Sequence, residues 1–161
     1  MSRTVLAWFL ELAATFTRRV DPKWIELSAL RVGLTVHHSP NPARAQRGGR
    51  SGRSFTWKYT TSVTSNEPIA ISEFGAFTWS NGRWMFNTIT GQPFTATDFA
   101  EWYSCPDAQI VPGQMYSDPL NWNGNNALNG GKSLWYFVGT TADGRKMKGE
   151  AIIDLLASLE N

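Results

Sequence analysis

The stretch FTWSNGRWMF, residues 77–86, constrains the fold of this chain more than any other. Asn81 and Gly82 both tolerate the positive φ that a two-residue type I′ turn demands, which makes the pair a strong hairpin signal. Pairing Ser80 with Arg83 sets Trp79 opposite Trp84, Thr78 opposite Met85 and Phe77 opposite Phe86. Strand side chains alternate, so Phe77, Trp79, Trp84 and Phe86 all emerge on one face. Burying one such ring is worth roughly 2–3 kcal/mol, and four exposed together would form a patch that monomers avoid. The rings are therefore expected to floor a core, and the chain to fold around a sheet.

A period of two recurs elsewhere. Leu30, Val32, Leu34 and Val36 alternate with Arg31, Gly33, Thr35 and His37, which reads as a half-buried strand ending at Pro40 and Pro42. Phe55, Trp57, Tyr59, Thr61 and Val63 alternate with small and polar residues in a second strand. IAISEF, beginning at Ile69, supplies another, with Gly75 as a bulge or bend before the hairpin. Leu134 to Thr140 is an apolar strand that turns at Asp143-Gly144 and returns from Arg145 to Leu156, although the tail after Asp154 equally suits a short helix.

Two segments read as helical. Val5, Trp8, Phe9, Leu12 and Phe16 share one face of an N-terminal helix, broken by DPKW at residues 21–24. Further on, Thr95 caps a helix with Asp98 three residues along, and Phe94 and Phe99 stand at staple positions. That helix is expected over 96–104, stopping before Pro106.

Two stretches read as loops. Residues 41–54, NPARAQRGGRSGRS, hold four arginines and no large apolar side chain, so a mobile basic loop is expected. Residues 107–133 are dense in turn formers, with five asparagines between Asn121 and Gly131. The expected fold is thus α+β: a mostly antiparallel sheet of about six strands, with the N-terminal helix and one short helix packed on it. Residues 1–20 are read as an N-terminal helix or a processed segment, and 21–161 as a single β-rich domain.

Charge is uneven. Residues 1–66 hold ten Lys/Arg against three acidic residues, and the remainder five against ten. A basic arm of this kind suits a polyanion or an acidic protein surface, or docks on the acidic half of its own fold. The single cysteine, Cys105, excludes an internal disulfide framework and a four-cysteine zinc site. His37 and His38 are adjacent on a strand, project to opposite faces, and cannot share a metal. No acidic pair carries a catalytic signature, and the Asn-rich stretch lacks the carboxylates of a calcium loop. Neither a catalytic residue, a metal site nor a cofactor is assigned.

The function expected is a non-enzymatic binding module. In the first reading Arg44, Arg47, Arg50, Arg53 and Lys58 hold nucleic acid or another polyanion, beside Trp57 and Tyr59. The alternative is a carbohydrate-binding module in which tryptophan faces stack on the apolar faces of sugars and amides bind hydroxyls, with Trp122, Asn121, Asn123 and Asn125 at its centre and Trp79 and Trp84 alongside. A small-ligand pocket is the third option. No membrane span is expected, since the apolar run after Arg3 is short and interrupted by Glu11. A cytoplasmic location is favoured over secretion, which would require residues 1–20 to be a signal segment.

Overall fold

The computed structural model describes residues 20–49 and 52–161. Among these residues eleven strands form one hydrogen-bonded sheet, joined by two short α-helices, so the expectation of about six strands understates it. The expected helix over Val5 to Phe16 lies outside the described residues.

The chain enters through α1 (Pro22–Ser28), where the sequence suggested only a break. Asp21 caps it, accepting from Lys23 N–H at 2.9 Å, and Pro22 occupies the first turn, where a missing N–H costs nothing. Seven residues are too few for apolar periodicity to declare a helix.

The sheet is built on three long strands. The first, β4 (Phe55–Ser65), carries β9 (Tyr116–Asn125) along one edge; β2 (Leu34–Ser39) and β3 (Ala43–Arg47) share the other. The second, β5 (Ile69–Ser80), pairs with β10 (Gly131–Thr141) and takes three short strands along its outer edge: β6 (Arg83–Phe86), β7 (Phe94–Thr95) and β8 (Gln109–Ile110). The third, β11 (Lys146–Leu159), lies between β10 and the parallel strands β1 (Arg31–Val32) and β3. A helix, α2 (Ala96–Trp102), connects β7 to β8.

The sheet curls so that the inner face of β4 meets that of β10 without backbone pairing. Trp57, Tyr59 and Val63 pack there with Phe74, Trp135 and Phe137 in the larger core. Phe99 and Tyr103 close it from α2, their rings 5.9 Å and 5.5 Å from that of Phe137. A smaller core lies on the opposite face of β5 and β10, where Leu27 of α1 packs with Phe77, Leu134, Tyr136 and Val138.

The hairpin register is as expected: Phe77 faces Phe86, Trp79 faces Trp84, and Asn81 and Gly82 both have positive φ. Its rings are buried unequally. Phe77 is fully enclosed, Trp84 and Phe86 are half-buried, and Trp79 is 46% exposed at the tip. What covers them is α1, with Trp24 stacked on Trp84 at 6.1 Å. The Asp21 carboxylate also accepts from Phe86 N–H at 2.9 Å, and Lys23 pairs with Glu73, so the cap and its neighbour fasten the helix to the sheet.

Several expectations are corrected. The stretch expected as a mobile loop over 41–54 contains β3, whose Ala43 and Ala45 are completely buried between β11 and β4. Small side chains fit where two strands close from either side. The loop expected over 107–133 contains β8 and the ten-residue β9. The strand expected through Leu30–Val36 is interrupted at Gly33, so Val32 is 70% exposed while Leu34 and His38 are buried. The tail after Asp154 continues as strand to Leu159. The bulge in β5 falls at Ser72, which stands opposite no residue of β10, while Gly75 makes room for the Tyr136 ring. The capping box of Thr95 and Asp98 is present, but α2 ends at Trp102, before the expected Ser104.

Candidate functional site

Between the free edge of β9 and the C-terminal end of α2 the curled sheet leaves a groove of about 810 Å³, within the range of small-molecule sites. Phe94 and Trp135 form its floor, and Asp118 to Gly124 of β9 make one wall. Glu101 and Trp102 of α2, with Asn87 to Ile89 beyond β6, make the other, and Arg53 stands at the rim. Trp102 is held by Phe94 and Phe74, at 4.7 Å and 5.4 Å between ring centres, so one indole wall is fixed from behind.

The floor is tied to the β9 wall by a chain of side chains. Trp135 Nε1–H donates to Tyr59 Oη at 2.8 Å, and Tyr59 Oη–H donates to Asn123 Oδ1 at 2.5 Å. Burial, with Asp118 adding to it, holds the Tyr59 hydroxyl far above the usual phenol range, so it remains a proton donor. Asn121 is 5% exposed and donates from Nδ2 to Thr61 Oγ1 at 2.8 Å. Two of the asparagines that suggested a loop, Asn121 and Asn123, are therefore inward-facing positions of a strand, bonded where apolar residues would ordinarily pack.

Among the described residues β9 pairs only with β4. Two of its backbone donors are held by its own side chains: Leu120 N–H donates to Asp118 Oδ1 at 2.9 Å and Trp122 N–H to Asn121 Oδ1 at 2.8 Å. The Asn123 NH₂ group has no hydrogen-bond partner among the described residues, whereas Asn87 Nδ2 donates to Thr78 Oγ1 at 2.8 Å.

Of the residues suggested for glycans, Trp122, Asn121 and Asn123 line this groove. Asn125 does not; its Oδ1 accepts from Ala127 N–H at 3.1 Å and shapes a turn. Trp79 and Trp84 belong to the hairpin and line no part of it. Of the cationic set Arg53 alone among the described residues lines the groove. Arg44 projects from β3 and donates to Ser158 at 3.1 Å, Arg47 lies over the Phe55 ring at 5.8 Å, and Lys58 stands across the β4–β9 ladder from Trp122. Arg50 lies outside the described residues. Glu101, Trp102, Asp118, Asn87 and Trp135 were not singled out for the site by sequence; they come from separate segments that only the fold assembles.

Cys105 is completely buried at the end of α2, and burial pushes its thiol up. His38 has both ring nitrogens engaged, with Thr61 and Ala151. Neither arrangement makes a nucleophile and base. Among the described residues no group of three His, Cys, Asp or Glu could hold a metal, and no helix is long and apolar enough to cross a membrane.

No family model matches the chain, and no curated protein matches it. Among solved structures it is similar to a chain described as ApaA from Bordetella pertussis, at 12% identity and a TM-score of 0.45, over 78% of this chain and 97% of that one. Likeness at that level leaves function to be read from the site.

Proposed function

We propose that this protein is a binding module whose groove takes a glycan. The observation that supports this best is that two tryptophans from separate elements, Trp102 and Trp122, line one groove together with Asn123, Asn87 and Glu101. Indole faces match the apolar C–H faces of pyranose rings, while amides and a carboxylate meet ring hydroxyls. Two carboxylates against one arginine make the groove itself a poor host for a polyanion.

Titration with soluble hexasaccharides (cello-, xylo-, malto- and chitohexaose), followed by tryptophan fluorescence and calorimetry, tests the reading. At least one should bind with little salt dependence, and Trp102→Ala and Trp122→Ala should each weaken it roughly tenfold or more, since a buried aromatic anchor is worth upwards of about 1.4 kcal/mol. Silence across the panel, or binding untouched by both substitutions, rejects it.

A second reading has its own support. Lys58 is Trp122's partner across the ladder, and Arg44 lies by alternation on the same outward face of the sheet. A single-stranded oligonucleotide bound there would be released steeply by salt.

A further inference from the structure

A buried hydrogen-bond relay ends in the groove wall. His38 is 2% exposed and sits where β2 meets β11. Its Nε2 is 3.1 Å from the carbonyl of Ala151, an atom that only accepts, so the ring hydrogen is on Nε2. Its Nδ1 must then accept, and it lies 3.0 Å from Thr61 Oγ1, which donates to it. The same Thr61 oxygen accepts from Asn121 Nδ2 at 2.8 Å, and Asn121 Oδ1 in turn accepts from Trp122 N–H at 2.8 Å. Three side chains, one backbone amide and one carbonyl therefore share one donor direction from the groove wall through the histidine.

That direction holds only while the imidazole is neutral. A proton on Nδ1 turns an acceptor into a donor aimed at Thr61. The Thr61 hydroxyl hydrogen must leave that line, and its oxygen must then accept from His38 as well as from Asn121, which turns its lone pairs and weakens its hold on Asn121. Asn121 is the residue that holds Trp122 N–H, so the disturbance arrives at an indole we assign to ligand stacking.

We propose, resting on the glycan reading of the groove, that protonation of His38 loosens the Asn121–Trp122 wall and releases the bound ligand in mildly acidic solution. The ionisable surroundings are consistent with a neutral ring at pH 7. From β4, Tyr59 presents its ring edge-on at 5.4 Å and stays protonated through burial. From beyond α2, Tyr103 lies against Thr61, its hydroxyl likewise held protonated by burial. Burial disfavours the imidazolium, and the neighbouring exposed His37 on β2 adds to that. On β9, Asp118 lies close enough to raise both tyrosines. Glu150 and Asp154 of β11 pair with Lys148 and Lys132 on the opposite face.

The test runs on the whole protein between pH 7.5 and 4.5. In the wild type, the Asn121 side-chain amide resonances should shift with the same one-proton curve as the His38 ring. In Thr61→Val, His38 should still titrate while Asn121 no longer follows. An Asn121 amide that stays still as His38 titrates overturns the relay. Hexasaccharide affinity should fall roughly fivefold or more as His38 protonates, the lower end of ordinary site coupling, and should stay level in His38→Gln. A hexasaccharide bound equally well on both sides of the titration overturns the proposal. Should no hexasaccharide bind while Asn121 still follows His38, the glycan reading falls and the relay stands.

Discussion

Replacing Tyr59 with phenylalanine removes a single oxygen from between the two halves of the curled sheet. Tyr59 is 3% exposed and Trp135 7%, so the indole N–H that now donates at 2.8 Å would be left in a space closed to water. An orphaned buried donor costs about 1–3 kcal/mol, while Asn123, which lines the groove, regains solvent at little cost. The ring itself stays, so no cavity term applies. We expect Tyr59→Phe to lose about 1–3 kcal/mol in urea unfolding at pH 7, with an unchanged slope against denaturant. A double-mutant cycle isolates the pair: with Trp135→Phe already in place there is no N–H to strand, and the second substitution should cost about 1 kcal/mol less. A loss under about 0.5 kcal/mol in the single variant, or strict additivity in the double, would refute the idea that this hydroxyl binds floor to wall.

Substitutions at four further positions probe the frame. A Cβ at Gly149 would stand 2.5 Å from Leu34 Cβ and 2.6 Å from the Leu34 carbonyl oxygen, so Gly149→Ala should cost at least the usual ~1–3 kcal/mol of overpacking; Gly131→Ala, with nothing near, should stay within about 0.5 kcal/mol in the same melts. Asp21→Ala removes the α1 cap and the acceptor for Phe86 N–H, and thermal unfolding should register about 1–2 kcal/mol, partly restored by Asp21→Ser. Burial lowers the His38 pKa from its ordinary 6.5. The unfolded chain therefore takes up a proton before the native one does, and stability should be full above about pH 6.5 and decline on acidification toward pH 5. His38→Gln should flatten that part of the stability profile.

Elements with strong local chemistry could be read directly. Asn81-Gly82 fixes its hairpin because few residue pairs accept its backbone angles, and Thr95 with Asp98 marks a helix start because each satisfies the other's backbone donor. Strands whose alternation is carried by unexpected residues were hidden. In β3 the buried positions are alanines, and in β9 they include Asn121 and Asn123, whose partners Thr61 and Tyr59 lie some sixty residues away in the chain. Half of the proposed glycan site was visible as Trp122 and its asparagines. Trp102 and Glu101, on the opposite wall, read only as parts of an amphipathic helix, since nothing local told which face of α2 would look onto β9.

The occupied donors of β9 have a meaning for copies of this chain. A bare outer strand invites a neighbour to continue the sheet, and growth of that kind has no natural end. Here Asp118 and Asn121 fold back onto the backbone of their own strand. One carboxylate and one amide, each spent on the backbone of its own strand, take away two of the N–H groups to which a second copy would have to bond.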